Sequence, residues 1–390
     1  MTELQNRPYS LRVLERIEQI SRSEWQGLKG TSQPFLRHAF LHALEASGSV
    51  GPETGWQPRH LVVNHADGRV LAALPLYEKH HSYGEYIFDW AWAEAYHRHG
   101  LPYYPKLSAA IPFSPVAGTR LLLAPNAPAD LGSVIQAGLT RLGDELRASS
   151  CHVLHHQAEE VPLWKSAGFL ERHSLQYHWQ NRHYRDFADY LDGFTSASRK
   201  KLKRERRQIA ESGLVIRRLT GTELTEGHWD AFYRFYCTTY RKRSGFDGYL
   251  NREFFSRLGE TMAEQILLVL AEDAGKAIAG ALFLHDDETL YGRYWGCLRP
   301  VNALHFELCY YQGMEFCLER GLKRFEPGAQ GEYKIQRGFE PQVVFSSHRL
   351  AHPDFHQAVA DYLERERQAV MQEQQALREH LPFRIPQAAS

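Results

Sequence analysis

The sequence predicts a mixed α/β protein made of two similar units, 1–183 and 184–352, followed by a C-terminal helix and tail, 353–390. Three observations lead to this fold class. The chain has 390 residues, enough for two or three domains. Hydrophobic residues make up 43 % and charged residues 24 % of the sequence, which is ordinary globular composition. One order of helical and strand-like segments occurs twice along the chain.

The first unit opens with a short strand, two helices and a hairpin. A Ser-x-x-Glu capping box begins the first helix, and an Asp-Gly pair between two apolar runs marks the turn of the hairpin. A longer helix and two more strands complete the unit. The predicted segments are strand 11–14, the helix carrying Trp25, helix 34–46, hairpin 61–76, helix 131–148 and strands 151–155 and 174–179.

The second unit repeats this order. Its predicted segments are strand 214–219, the helix carrying Trp229, the helix capped by Asn251, hairpin 266–284, helix 303–320 and strands 322–325 and 343–350. A lysine followed three or four residues later by Gly-Phe occurs at the same point of both units, at Lys165 and at Lys334. Agreement of the whole series favours a duplication, although α/β chains also alternate helices and strands without one.

Composition and motifs exclude several functional classes. Lysine plus arginine and aspartate plus glutamate each total 46, so the net charge of zero argues against a general nucleic-acid coat. We find neither a secretory signal nor an apolar run long enough for a transmembrane helix, and the five cysteines form no CxxC pair. We therefore expect a cytoplasmic protein. Because no HExxH, G-x-S-x-G or Walker A motif occurs, we expect no metal, serine-hydrolase or NTPase site.

The order of elements in each unit resembles the GNAT N-acetyltransferase fold. Two such units in tandem resemble the Fem-type aminoacyltransferases of peptidoglycan biosynthesis, and the segments 83–92, 304–312 and 325–339 resemble the FemAB-like predicted N-acyltransferases in particular. The resemblance extends over about residues 10–380. It implies an N-acyltransferase, in the acyltransferase class EC 2.3, that joins an activated acyl group to an amine in a ternary complex.

The densest charged segment lies in a predicted helix at 198–210. Seven of the nine residues 199–207 are basic. Such repulsion is tolerated where a polyanion binds, and the alternative is a solvated linker helix. The Fem-type enzymes carry a similar stretch, which favours a role near an anionic donor. The candidate donor-binding residues are Arg199, Lys200, Lys203 and Arg204.

A glycine-rich segment follows strand 322–325 and carries charges of both signs. Glu326 and Glu332 are candidate bases for an amine nucleophile, and Lys334 and Arg337 are candidates to bind a phosphate or carboxylate. The alternative is a solvated surface turn. In the Fem-type enzymes this segment contributes to the substrate channel, which adds Phe339 to the residues of interest.

Two further segments carry candidate substrate-binding residues. Aromatic residues alternate with carboxylates in an insertion after the first hairpin, where Asp89, Trp90 and Trp92 suit recognition of an amine or a ring. The alternative is a loop that covers the core. In a GNAT unit the strand 291–297 borders the acyl cleft, so the resemblance adds Arg293 and Tyr294 as lining residues and Glu307 as a third candidate base.

The sequence leaves the donor and the acceptor open. Acyl-CoA is one possible donor, but the segment 298–305 lacks the glycine-rich loop with which ordinary GNATs hold the pyrophosphate. Aminoacyl-tRNA is the other donor, and the acceptor is an amine-bearing small molecule or peptide. The competing hypothesis is a binding module that keeps this fold without transfer activity.

Overall fold

The computed structural model describes residues 9–384. Its strands, in chain order, are β1 Tyr9–Leu14, β2 Trp56–Pro58, β3 His60–His65, β4 Val70–Leu74, β5 Tyr77–Lys79, β6 Lys106–Ala109, β7 Leu122–Leu123, β8 Ser150–His156, β9 Leu170–Gln180, β10 Val215–Leu219, β11 Ile266–Asp273, β12 Lys276–His285, β13 Thr289–Cys297, β14 Arg324–Glu326 and β15 Glu340–Leu350.

The α-helices are α1 Arg22–Gln26, α2 His38–Ala46, α3 Trp90–Arg98, α4 Leu131–Leu146, α5 Val161–Ser166, α6 Phe187–Asp192, α7 Ser196–Ala210, α8 Glu226–Ser244, α9 Arg252–Met262, α10 Leu304–Phe306, α11 Gln312–Arg320 and α12 Pro353–Glu379. A π-helical segment, Glu307–Tyr311, joins α10 to α11, and a short 3-10 helix spans Glu332–Arg337. Between residues 9 and 384, no helix is both long enough and apolar enough to span a bilayer.

The contacts divide the described residues into two units. Unit 1 comprises 9–174 and 343–371, and unit 2 comprises 175–342 and 372–384. The chain changes unit inside β9, inside β15 and inside α12, so neither unit is a single continuous segment. The boundaries at 183/184 and 352/353 assume continuous segments, and they stay a prediction.

Unit 1 contains two small sheets. One has the strand order β1-β3-β4-β7, all antiparallel. The other runs β2-β5-β6-β8-β15, in which only β6 and β8 are parallel. The predicted hairpin is present as β3 and β4.

Unit 2 contains one sheet in the order β10-β11-β12-β13-β14-β9. All its pairs are antiparallel except β13 with β14. β9 follows α5 of unit 1 along the chain, yet its residues 179 and 180 pair with β14 of unit 2. In the same way, residues 345–350 of β15 pair with β8 of unit 1. In unit 2, the strand beside the parallel pair β13 and β14 is β9, which continues directly from unit 1. In unit 1, the strand beside the parallel pair β6 and β8 is β15, which continues directly from unit 2.

These observations confirm the predicted fold class of mixed α/β units with a C-terminal helix. The two units are less alike than the repeated order of elements suggests, because the sheet of unit 2 is continuous where unit 1 has two separate sheets. The strands of the two sheets of unit 1 alternate along the chain, and the long insertion after the first hairpin contributes α3.

The first part of α12 packs on this insertion within unit 1. Val359 and Leu363 are buried in a cluster with Trp92, Tyr96 and Tyr103. The apolar side of this part of the tail helix is thus covered by its own chain, as its spacing suggests.

The core of unit 2 depends on a close approach between α8 and the sheet. Apolar side chains of α8 recur with helical spacing, and its buried residues are Trp229, Phe232, Phe235, Tyr236 and Cys237. Gly296 on β13 lies directly beneath this helix, since a Cβ atom added there would lie 1.9 Å from the carbonyl oxygen of Phe235. Only glycine fits between the strand and the helix at this distance.

We expect Gly296→Ala to lower the unfolding free energy by roughly 3 kcal/mol, because α8 must move off the sheet to admit one methyl group. Chemical denaturation measures the change. Gly227→Ala is the matched control, since its Cβ would meet only Thr225 Oγ1 at 3.8 Å within α8. The control should leave stability equal or slightly higher, because alanine is the better helix former. Equal losses in both variants would contradict the close approach.

Candidate active site

The parallel strands β13 and β14 separate within unit 2. Their pairing begins at Thr289 with Arg324 and ends at Tyr291 with Glu326. Beyond that pair β14 stops, and the chain turns away at Pro327-Gly328, whereas β13 continues to Cys297. Ligands in α/β sheets bind beyond the carboxyl ends of parallel strands. The site is therefore built from the side chains at this point.

A β-bulge on β13 places Arg293 at the separation. Leu282 of β12 pairs with Tyr294 and Phe283 pairs with Gly292, so Arg293 is the extra residue. Bulges redirect a side chain from the regular alternation of a strand. The buried guanidinium donates from Nη1 to the carbonyl oxygens of Gly292, at 2.8 Å, and of Glu326, at 3.3 Å. Arg293 thus links β13 to the last residue of β14.

The Glu326 carboxylate is buried, with 1 % of the residue exposed. Neither carboxylate oxygen has a hydrogen-bond partner among the described residues. Two cations are nearby: Arg324 Nε lies 3.2 Å from Oε1, and Arg293 Nη2 lies 3.9 Å from Oε2. Buried carboxylates normally accept hydrogen bonds, since burial without them is costly. Glu326 is therefore a buried, cation-flanked acceptor with unused capacity.

β9 brings a histidine to this carboxylate. Gln180 and Trp179 of β9 pair with Arg324 and Phe325 of β14, and the adjacent residue of β9, His178, is close enough to Glu326 for that charge to act on it. Burial lowers the pKa of His178 to about 4; Glu326 opposes that effect, whereas the cations around it reinforce it. His178 is consequently neutral at physiological pH. Its Nε2 lies 3.3 Å from Gln176 Oε1.

A lysine enters from the 3-10 helix Glu332–Arg337, here called the Lys334 turn. Lys334 is buried, and its Nζ donates to the carbonyl oxygen of Gly328 at 2.6 Å. Within residues 9–384 it forms no ion pair with a carboxylate. Burial, and then the charge of Arg293, lowers the pKa of Lys334 to about 7. The site thus holds a buried amine that changes charge near neutral pH.

The other candidates of unit 2 have different partners. Glu307 accepts from Arg206 and from Gln312, and Tyr294 packs against Tyr236 and Phe255. The guanidinium of Arg337 is paired with the Glu205 carboxylate, whereas Glu332 is exposed. The structure therefore brings Glu326, Arg293 and Lys334 together. Glu307, Arg337 and Tyr294 are engaged with these other side chains, and Glu332 faces water.

The basic segment forms helix α7, and its charges are sorted by face. Leu202, Glu205 and Ile209 are buried on one side. Three cations on the flanks have partners in unit 2: Arg199 contacts Asp192, Lys201 contacts Gln336, and Arg206 contacts Glu307 and Glu315. The remaining four, the α7 stripe, are exposed and have no ion-pair partner among the described residues; they are Lys200, Lys203, Arg204 and Arg207.

The candidates of unit 1 lie beside a buried lysine. Asp89 accepts hydrogen bonds from Lys106 Nζ and from Tyr103, and Trp92 packs edge-on against His348 with a ring-centroid distance of 5.0 Å. Asp89 and Trp92 therefore belong to a packed interior. Trp90 is 41 % exposed and contacts Tyr83.

Sequence reasoning missed His178, because it lies in a strand assigned to the preceding unit. Glu205 was missed as well, because it reads as a compensating acid inside a basic run. The π-helical segment Glu307–Tyr311 had no sequence signal, although such segments often occur at functional sites. Within the described part of the chain, no group of three or more His, Cys, Asp or Glu side chains is arranged to hold a metal ion.

Comparisons with known proteins agree with this architecture. The model of the FemAB-like family, described as peptidoglycan biosynthesis/recognition, matches residues 16–385. No curated protein sequence matches the chain. The C-terminal domain of a lysylphosphatidylglycerol synthetase from Agrobacterium fabrum superposes with a TM-score of 0.51 at 9 % identity, covering 83 % of this chain and 90 % of that one.

Two further solved structures are similar at lower scores. FemX has a TM-score of 0.47 at 11 % identity, with 79 % of this chain and 92 % of that chain covered. A tandem GNAT protein from the clavulanic acid biosynthesis pathway has a TM-score of 0.45 at 13 % identity, with 88 % and 99 % covered.

The buried charge of Lys334 predicts a pH-dependent stability effect. Below pH 7 the lysine is charged in both folded and unfolded chains, so the fold bears the full cost of its burial. Above pH 7 the folded chain releases the proton first, and the cost shrinks until the unfolded lysine also titrates, near 10.5.

We expect Lys334→Met to raise the melting temperature at pH 6. The unfolding free energy of Lys334→Met should exceed that of the native protein, and this difference should shrink by at most about 1.4 kcal/mol per pH unit between pH 7 and 10. Thermal unfolding of both proteins across this range measures it. Lys276→Met, at an exposed lysine of unit 2, is the control and should show no such trend. A constant difference across the range would contradict the buried charge.

Proposed function

The chain belongs to the FemAB-like family, and from this membership and the geometry of unit 2 we propose that it transfers an acyl or aminoacyl group from an activated donor to an amine. The observation that carries the proposal is the Glu326 carboxylate. It is buried at the end of the parallel strands, flanked by two cations, and has no hydrogen-bond partner among the described residues.

In the proposed reaction the amine attacks the carbonyl carbon of the donor directly. Glu326 accepts the proton that the amine loses as the C–N bond forms. Breakage of the C–O bond of an ester donor, or the C–S bond of a thioester donor, then releases an alcohol or thiol. That leaving group takes up the proton, so Glu326 returns to its ionised form.

Lys334 and Arg293 are proposed to stabilise negative charge in this reaction. The carbonyl oxygen becomes an oxyanion when the amine attacks, and preorganised cations in a buried site stabilise such charge. Lys334 suits this role because it is buried without a carboxylate partner among residues 9–384. A negative charge arriving beside it favours its protonated form.

The α7 stripe supports a polyanionic donor. Lys200, Lys203, Arg204 and Arg207 follow one face of a regular helix and have no acidic partner among the described residues. Binding of phosphates there releases counterions and relieves the repulsion among the four charges. The glycine-free segment before α10 gives no usual pyrophosphate loop for CoA. Both features favour aminoacyl-tRNA over acyl-CoA as the donor.

The family description supports an acceptor from peptidoglycan biosynthesis, that is, a peptide bearing a free amine. Among the candidates of unit 1, Trp90 has an exposed ring that could contact a ligand, whereas Asp89 and Trp92 are buried in the interior of that unit. Glu332 and Glu307 stay alternative bases, and transfer assays on their glutamine variants separate them from Glu326.

We expect Glu326→Gln to lower kcat at least about 100-fold while the fold and the donor KM stay unchanged, because the amide cannot accept the amine proton. The assay measures transfer of labelled groups from a panel of acyl-CoAs and charged tRNAs to amine-bearing muropeptides. Glu260→Gln, at an exposed carboxylate of α9, is the matched control and should keep full activity.

Two outcomes would overturn this assignment. Full activity of Glu326→Gln would remove Glu326 as the base, and loss of activity in Glu332→Gln or Glu307→Gln alone would identify another. A native protein that binds muropeptides or tRNA but transfers nothing from any donor would support the binding-module hypothesis instead.

The donor proposal predicts a salt effect. Lys203→Gln with Arg204→Gln should raise the KM for a charged tRNA about tenfold near physiological salt. It should also reduce the slope of log KM against log salt concentration by about 0.7 to 0.9 for each phosphate that is no longer neutralised. Lys276→Gln with Arg299→Gln removes two exposed charges elsewhere in unit 2 and should change neither quantity. An unchanged slope in the α7 variant would contradict binding at the stripe.

A further inference from the structure

We propose that Glu205 and Arg337 are positioning residues: their buried ion pair holds the Lys334 turn against α7 and so keeps Lys334 at the separation of β13 and β14. The proposal rests on the proposed function of this site. It gives Arg337 a role different from substrate binding, and it gives a function to Glu205, which the sequence presents as one acid among many bases.

The ion pair has the geometry of a structural clamp. One terminal nitrogen of Arg337, Nη2, donates to both oxygens of Glu205, at 3.0 and 2.9 Å, and Nη1 donates to the carbonyl oxygen of Tyr333 at 2.8 Å. The centre of the guanidinium lies 3.4 Å from the ring centroid of Phe306. With 1 % of the residue exposed, Arg337 offers no surface to a ligand.

The Lys334 turn needs such a clamp. It is a single 3-10 helix of six residues, and 3-10 helices have weak hydrogen-bond geometry. Gly331 precedes it at φ 112° and Gly338 follows it at φ 78°, and glycine is the residue with the greatest backbone freedom. The backbone on either side therefore does little to fix the orientation of the turn.

Because of the spacing between Lys334 and Arg337, the ion pair of Arg337 also orients Lys334. Residues i and i+3 of a 3-10 helix lie on the same side, one turn apart. Lys334 and Arg337 have this spacing, so fixing the Arg337 side chain also fixes the direction of Lys334. A second contact has the same effect, since Lys201 Nζ donates to Gln336 Oε1 at 2.5 Å.

The clamp also connects the turn to the proposed donor surface. Glu205 and the α7 stripe are on opposite sides of one helix of fifteen residues. Tyr311 donates a further hydrogen bond to Glu205, and the Tyr190 hydroxyl donates to the Arg337 carbonyl oxygen at 2.7 Å. One rigid element thus presents the donor-binding charges outward and holds Lys334 inward.

The test follows the titration of Lys334 in the full-length protein by NMR, with lysine labelled with ¹³C at Cε. The Lys334 signal is assigned by its disappearance in Lys334→Met, and it should titrate near pH 7 in the native protein. The groups that act on this lysine, or respond to it, are Arg293 on β13, Cys309 in the π-helical segment, Tyr177 and His178 on β9, and His305 on α10. None of them is altered in the variants used.

In Glu205→Gln we expect the Lys334 midpoint to rise by at least one pH unit, because the loosened turn lets the amine reach water. We expect kcat for transfer to fall at least tenfold with a smaller change in the donor KM. Lys79 of unit 1, whose pKa burial also lowers to about 7, provides an internal reference that should not move.

A second variant tests the clamp in case Glu205→Gln fails to fold. Glu205→Leu with Arg337→Met replaces the pair with apolar side chains of similar volume, an exchange that buried ion pairs often tolerate. It should stay folded, show the same rise of the Lys334 midpoint, and reduce kcat at least tenfold. Glu315→Gln is the control. It removes a carboxylate of α11 that pairs with Arg206, a neighbour of Glu205 on α7, and the Lys334 midpoint should stay at its native value.

A folded double variant with the native midpoint and native kcat would overturn the positioning role. A raised midpoint in a protein that transfers nothing even in its native form would support the clamp while rejecting the proposed function. The two proposals can therefore fail separately.

Discussion

The antiparallel pairing of β9 with β14 is the interaction on which the candidate site depends. It brings His178 near Glu326 and covers the far side of the short strand β14, whose other neighbour is β13. Because β14 has only three residues, its last side chain reaches the point where the parallel pair separates. Burial of the carboxylate, neutrality of the histidine and the approach of Arg293 all follow from this arrangement of three strands.

The buried charges of unit 2 fall into two physical classes. Glu205 with Arg337 and Glu307 with Arg206 are ion pairs whose members also have further hydrogen bonds, so the cost of burial is offset inside the fold. Lys334 is buried without an acid partner among residues 9–384, and Glu326 is buried without a hydrogen bond from that part of the chain. Buried charges such as Lys334 and Glu326 lower the stability of the fold unless a ligand supplies the missing partner. This is why they indicate the site.

Helix α7 shows how charge and packing act together. Seven basic residues in nine point in every direction around a helix, yet the fold gives partners to those on the flanks and leaves four in water. A net charge of zero over the whole chain is therefore compatible with one local surface for a polyanion. The apolar spacing of Leu202 and Ile209, with Glu205 between them, decides which charges face outward.

Periodicity, caps and turn residues in the sequence were enough to predict the fold class, the hairpins and the basic helix, and the resemblance of the chain to known proteins led to the family. A glycine-rich segment after a strand is a local feature, and it led to Glu326 and Lys334. Arg293 came from the resemblance to a GNAT unit, in which the corresponding strand borders the acyl cleft. The partners of these residues came only from tertiary structure. A strand pairs by backbone hydrogen bonds that do not depend on side-chain identity, so the sequence does not reveal that β9 joins unit 2. Burial in turn decides which charged residues lie inside ion pairs and which are left for a ligand, and it is a property of the packed chain alone.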